Sequence, residues 1–162
     1  MNLRPARLEE REALEALQMT ASLADEAYRQ ALLDHPEAVH LPMEQIEAGQ
    51  VVLAEDESGL VGFCVVLPRE DGQAELDGLF TRPDAWGRGV GRALTQDALY
   101  RAAAMGAATL HVVASPEARG FYERLGFEFV SDTPTLFGPA ISMARSTFAS
   151  RSPARASSPA PG

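Results

Sequence analysis

"LFTRPDAWGRGVGRAL", residues 79–94, places three glycines at alternate positions, Gly87, Gly89 and Gly91, with Arg88 and Arg92 among them. Glycine loses more conformational freedom on folding than any other residue. Three so close together imply a hard turn, a close approach to the main chain, or both. The residues before them, "QAELDGLFT" at 73–81, read as a strand that Arg82-Pro83 stops. After them, apolar residues recur from Val90 at Leu94, Ala98, Ala102 and Met105, the steps of one helical face, and Gly106 is a natural stop. The glycines therefore join a strand end to a helix start. A helix N-terminus carries unpaired N–H groups and partial positive charge, which suits a phosphate. The functional reading is a pyrophosphate cradle; the plain one is a flexible turn. The Rossmann pattern G-x-G-x-x-G fails in both frames, because its last position falls on Arg92 or Leu94. The P-loop pattern fails too.

Outward from this stretch the chain reads as ααβββαβαββ, an α/β fold with a mixed sheet. Residues 9–19 and 23–34 are expected helices, with Leu14 and Leu17 inward in the first and Ala27, Leu32 and Leu33 in the second. "VVLAED" at 51–56 and "LVGFCVVLP" at 60–68 form a hairpin, and 73–81 extends it. "ATLHVVA" at 108–114 is a strand. "SPEARGFYERLG" is a short helix with Ser115 as N-cap and Pro116 at the first position. "FEFVS" and "PAISMAR" are two last strands. The tail "ASRSPARASSPAPG", 149–162, has no apolar periodicity and is expected to be disordered, leaving one domain over 1–148.

The 162 residues are 46% hydrophobic and 23% charged, as in ordinary globular proteins. The net charge is −9, and without Arg151 and Arg155 of the tail it is −11. That disfavours a nucleic-acid partner and suits an amine substrate, although acidity also serves solubility. The start, "MNLRPARLEEREALEALQM", has no signal-peptide pattern, and no run is long enough to span a bilayer. A cytoplasmic location without membrane association is expected. Cys64 is the single cysteine, and the histidines (His35, His40, His111) have no metal spacing, so no metal is expected.

"LFTRPDAWGRGVGRAL" resembles the central motif of the GNAT superfamily of N-acetyltransferases: a strand, a proline, then Gln/Arg-x-x-Gly-x-Gly/Ala opening a helix. "SPEARGFYERLGFEFV", 115–130, resembles the family's second signature, Asn-x-x-Ala-x-x-Phe-Tyr-x-x-x-Gly-Phe. The two stand in the family's order with one helix and one strand between them, and the resemblance covers residues 2–147. It implies a mostly antiparallel mixed sheet flanked by helices, with acetyl-CoA as cosubstrate on the glycine loop. The cofactor-binding candidates are Leu79, Phe80, Thr81, Trp86, Gly87, Arg88, Gly89, Val90, Gly91, Arg92, Ser115 and Tyr122. Trp86 departs from the usual Gln/Arg, and either packs beside the cofactor or plugs the core. Ser115 departs from the usual Asn.

Acetyl transfer to an amine requires loss of the ammonium proton, stabilisation of the thioester oxygen and help for the departing thiolate. The resemblance places the oxyanion donor at the Leu79 backbone N–H. Gly78 before it is consistent with a β-bulge. Glu75, eleven residues before Trp86, is the first candidate base, with Asp77 or a water relay as alternatives. Tyr122 matches the family's sulfur-facing tyrosine. It also falls on the apolar face of Ala118, Phe121 and Leu125, where it would be plain core. The implied function is N-acetyl transfer by direct attack in a ternary complex, to a small-molecule or peptide amine, by a monomer or homodimer. The alternative is a non-catalytic acyl-CoA-binding sensor on the same fold.

Overall fold

The run at 60–67 lacks polar alternation because its strand is covered on both faces. The computed structural model describes residues 1–147, so the expected disordered tail lies outside the described residues. The chain forms β1 (Asn2–Pro5), α1 (Arg11–Ala24), α2 (Glu26–Asp34), α3 (Met43–Glu47), β2 (Val51–Asp56), β3 (Gly59–Pro68), β4 (Ala74–Thr81), α4 (Val90–Ala104), β5 (Thr109–Ala114), α5 (Arg119–Arg124), β6 (Glu128–Asp132) and β7 (Ile141–Ser146). The seven strands make one sheet in the order β1-β2-β3-β4-β5-β7-β6. Every pairing is antiparallel except β4 with β5. This is the mixed, mostly antiparallel sheet expected.

Two elements exceed the expected order. β1 is a four-residue edge strand ending in proline, too short to show a period, and it is held by pairing Leu3 with Ala54 and Arg4 with Leu53. α3 is a little over one turn and buries only Ile46. The second helix begins later than expected, because Asp25 stops α1 and caps α2 by accepting from the Ala27 N–H at 3.0 Å.

Strand alternation divides the core. Val52, Cys64 and Val66 meet Leu94, Ala98 and Ala102 of α4 on one face. Val51, Leu53, Phe63 and Val65 meet Leu14 and Leu17 of α1 and Ile46 of α3 on the other. Full burial of a side chain such as Leu94 contributes roughly 2 kcal/mol. Gly62 lets α4 lie this close, since a Cβ there would stand 2.8 Å from the Phe80 carbonyl oxygen and 3.0 Å from Val90. Cys64 is buried within β3; burial pushes its thiol up to about 12, so it stays protonated.

Candidate active site

Parallel pairing between β4 and β5 covers only Ala74–Leu76 against Leu110–Val112. Beyond it, Asp77–Thr81 have no strand partner on the β5 side, and the two strands part. The opening forms a cleft of about 770 Å³. Leu79 and Thr81 line one wall, Ala114 and Ser115 the other, and Tyr122 lies between. Such a parted strand offers main-chain N–H and C=O groups to an extended ligand.

The parting starts at an irregularity. Val65 opposes Gly78 and Val66 opposes Leu76, which leaves Asp77 as the extra residue of a bulge. The bulge expected at Gly78 is therefore present, one residue earlier in its unpaired position. It reverses the faces: Ala74 and Leu76 enter the α4-side core, and so does Leu79, while Phe80 turns to Phe63 on the α1 side. Unbroken alternation would have put Leu79 on the face of Glu75 and Asp77. Glu75 is half-buried beside Leu67 and His111 and lines neither this cleft nor the smaller chamber described below. Asp77 lines both. The residue is exposed, yet the protein around it partly desolvates its carboxyl and raises it above the usual carboxylate range.

At the far end of β4 the glycines separate into two roles. Gly87 and Gly89 adopt left-handed φ of +82° and +84°, and Gly89 is the N-cap of α4. A Cβ on either would meet nothing within 4 Å, so their need is conformational. Gly91 is a packing glycine instead: its missing Cβ would sit 3.3 Å from the Phe121 ring of α5. The amides of Val90, Gly91 and Arg92 have no helical acceptor and receive none from the rest of the described chain. These orphan donors stand at the positive end of a fifteen-residue helix and line the cleft, an arrangement that could hold an anion. Arg92 has no ion pair among the described residues, whereas Arg88 leans toward Asp56 at 3.7 Å.

Trp86 is not a core plug. The residue is 52% exposed and lines the cleft, while its indole N–H donates to the Thr81 carbonyl oxygen at 2.9 Å. Tyr122 belongs to the core and also lines the cleft. Its ring packs edge-on against Phe121 and Phe127 at 5.0 and 5.3 Å. Its hydroxyl has no hydrogen-bond partner among the described residues, and the residue lines the cleft. Burial raises this phenol above its ordinary value, with lesser contributions from Cys64 and Tyr28. Ser115 stands at the N-cap of a 3-10 turn, Pro116–Ala118, but its side chain does not cap it. The buried Ser115 hydroxyl instead interacts with the Tyr28 hydroxyl, reached from α2. That approach of α2 to β5 was invisible in the sequence, since nothing local to either residue signals it.

His111 is structural: its Nε2 contacts the Gln73 amide oxygen, and burial lowers its basicity. No cluster of three or more metal-ligating side chains exists among the described residues. No described helix is long and apolar enough to cross a membrane.

Residues 47–129, just over half of the chain, match the acetyltransferase (GNAT) domain family. The chain belongs to this family. Among solved structures, it is similar to the PaiA N-acetyltransferase from Thermoplasma acidophilum in complex with coenzyme A. That match has 18% identity and a TM-score of 0.73, over 90% of this chain and 98% of that one. A GCN5-related N-acetyltransferase from Rhodopseudomonas palustris has 27% identity and a TM-score of 0.70, over 90% and 94%. YncA, a putative acetyltransferase from Salmonella typhimurium with acetyl-CoA, has 17% identity and a TM-score of 0.69, over 91% and 94%. No curated protein matches the chain in sequence. The two neighbours below 25% identity share the GNAT fold with this chain.

Proposed function

We propose that this GNAT-family chain transfers an acetyl group from acetyl-CoA to an amine by direct attack within a ternary complex. The observation that carries this reading is the cleft itself: a parted β4 edge that runs from the Asp77 carboxylate to the orphan amides of α4. The fit to the cosubstrate rests on those unpartnered amides, on two left-handed glycines with open space before them, and on the volume of the cleft.

In this reading the amides of Val90, Gly91 and Arg92, with the Arg92 guanidinium, hold the pyrophosphate. Gly87, Arg88 and Gly89 shape the loop. The main chain of Leu79, Phe80 and Thr81 pairs with the pantetheine arm, Trp86 packs beside it, and Ser115 borders it. Acetyl-CoA supplies an acyl group activated as a thioester. The Leu79 N–H stabilises the carbonyl oxygen as negative charge grows there. Asp77 takes the ammonium proton, directly or through one water, which frees the nitrogen lone pair for attack. A carboxyl raised by burial is a better base than an ordinary one. Glu75, farther from the cleft, is the second choice. The C–N bond forms, the C–S bond breaks, and the nitrogen's second surplus proton passes through water to the departing thiolate, which is released as thiol.

Tyr122 steadies the departing sulfur by donating a hydrogen bond. Full proton transfer from it would run uphill, since even an ordinary tyrosine near ~10 is a weaker acid than a thiol near ~8.5. The hydroxyl's raised value widens that gap. All these residues fall within the proposed domain, 1–148, with residues 149–162 taking no part.

The test is direct. Acetyl-CoA should raise the melting temperature of the wild type, and an amine panel should release free thiol. Cofactor binding with no thiol released to any amine would favour the acyl-CoA sensor instead.

A further inference from the structure

The bulge that brings Asp77 to the cleft also opens onto a second chamber, on the α1 face of the sheet. Its volume is about 190 Å³, roughly the share of six water molecules in the liquid. Asp77, Gly78 and Phe80 line both spaces, so the two meet at the bulge. Phe80, half-buried, forms an aromatic floor and is backed by the fully buried Phe63 with ring centroids 5.3 Å apart. Gln18 of α1 and Gln45 of α3 border the chamber, both half-buried, and neither side-chain amide has a hydrogen bond within the described chain.

One wall is held with unusual firmness. Leu41 lies outside any helix or strand, yet both its backbone groups are fixed from a single turn of α1. Arg11 Nε donates to its carbonyl oxygen at 2.7 Å, and its N–H donates to Glu15 Oε2 at 2.8 Å. Arg11 and Glu15 stand 3.7 Å apart, so each holds the other in place. A wall fixed this way before any ligand arrives lowers the ordering cost of binding. The charges are also unevenly placed. The carboxylate that lines the chamber is Asp77, at its mouth, while Glu15 is taken up by Leu41 and Arg11. His40 sits on the rim beside Arg11 and Glu15.

We propose that this chamber selects the acceptor. The ammonium end of a compact primary amine meets Asp77, its aliphatic body lies on Phe80, and an uncharged hydrogen-bonding group at its far end is held by Gln18 and Gln45. The inference rests on the acetyltransferase reading above. A second ammonium group would find no carboxylate inside the chamber. A terminal carboxylate would find no unengaged cation there and would lie in the field of Asp77. A peptide longer than one residue exceeds the space.

The experiment compares three amines of matched chain length: aminopentanol, its diamine counterpart cadaverine, and aminopentanoate. Acetyl transfer from acetyl-CoA is followed as free thiol, with the product confirmed by mass. We expect kcat/KM for aminopentanol to exceed the other two by at least about 10-fold, the value of one well-placed hydrogen bond. In Gln18→Leu and Gln45→Leu that preference should collapse, mostly through a rise in KM. The coenzyme A-induced rise in melting temperature should be unchanged in both, which shows that they fold. Equal rates for the three amines, no transfer to any of them, or a preference that survives both substitutions would overturn the chamber. If coenzyme A binds in those cases, the cofactor site stands alone. If the wild type does not bind coenzyme A at all, both readings fall together.

Discussion

Trp86 and Thr81 are tied across the loop between β4 and α4: the indole N–H donates to the Thr81 carbonyl oxygen at 2.9 Å, while the tryptophan stays half-exposed and lines the cleft. The bond pins the strand end to the loop that leads to the orphan amides. Trp86 is also the single tryptophan of the chain. Titration with acetyl-CoA should therefore change the intrinsic fluorescence in a saturable way. Trp86→Gln restores the residue usual in the family motif and should keep cofactor affinity within about 10-fold, since one exposed contact is worth roughly 1 kcal/mol. Saturating binding by calorimetry with no change in emission would remove Trp86 from the cofactor's surroundings.

Gly89→Val tests the loop through the backbone rather than through a clash. No atom lies within 4 Å of the missing Cβ, but φ is +84°. A β-branched residue held there costs on the order of 1–3 kcal/mol, so the loop should relax to another shape and the first-turn amides should lose their aim. We expect cofactor affinity to fall at least about 10-fold, with a lower melting temperature. Gly89→Asn, which tolerates left-handed φ better, should lose less. Equal affinity in both variants and the wild type, measured by calorimetry, would show that the loop does not hold the cofactor.

Tyr122→Phe removes a hydroxyl and keeps the ring that packs on Phe121 and Phe127. A hydrogen bond to a charged partner is worth about 1.5–3 kcal/mol, so kcat should drop roughly 10- to 150-fold with little change in cofactor affinity. Wild-type turnover in this variant would leave Tyr122 as a core residue only.

Asp97 of α4 carries a side-chain oxygen, Oδ2, that is sealed from solvent and has no partner among the described residues. Burial raises its carboxyl, and Arg101 only partly opposes this. A carboxyl whose folded value lies above its unfolded value contributes stability at pH below the unfolded value, and loses that contribution as pH rises through the folded one. Asp97→Asn should therefore raise the melting temperature at neutral pH by about 2–4 °C, and the gain should vanish in acid. Thermal melts at both pH values check this. A variant less stable than wild type at neutral pH would contradict it.

The parts legible in sequence are those governed by local chemistry. The positions of β2, β3, β4 and α4 follow from apolar runs, periodic steps and the glycine stop, which act over a few residues. The loop that leads into the unpartnered amides of α4 follows from glycines placed before a helix. What the sequence conceals is tertiary. The three glycines look alike in sequence, yet Gly91 answers to Phe121, thirty residues on, while Gly87 and Gly89 answer to their own φ. Ser115 has the composition of a cap but instead interacts with Tyr28 from another element. Glu75 and Asp77 look equivalent by alternation, and only the register of β3 against β4 separates them. Gly78 was the one local sign of that register.

That register leads to the sharpest test. Asp77 is the unpaired residue of the bulge and sits where the cleft and the chamber meet, whereas Glu75 borders neither. If Asp77 is the base, kcat/KM should fall as pH drops through its raised value, because the protonated carboxyl cannot accept the ammonium proton. Asp77→Asn should lower kcat/KM at neutral pH by roughly 100-fold or more, the usual scale of general base catalysis. It should also lack the acidic limb that belongs to this carboxyl. The loss should shrink toward alkaline pH, where free amine becomes abundant without a base. Glu75→Gln should leave the shape of the profile unchanged and lower its height by less than about 10-fold, as expected of a group acting only through its field. The measurement is kcat/KM against pH for the three proteins with one acceptor. A large loss in Glu75→Gln with a wild-type profile in Asp77→Asn would exchange the two roles. Wild-type behaviour in both would assign the proton to solvent water held by the main chain of β4.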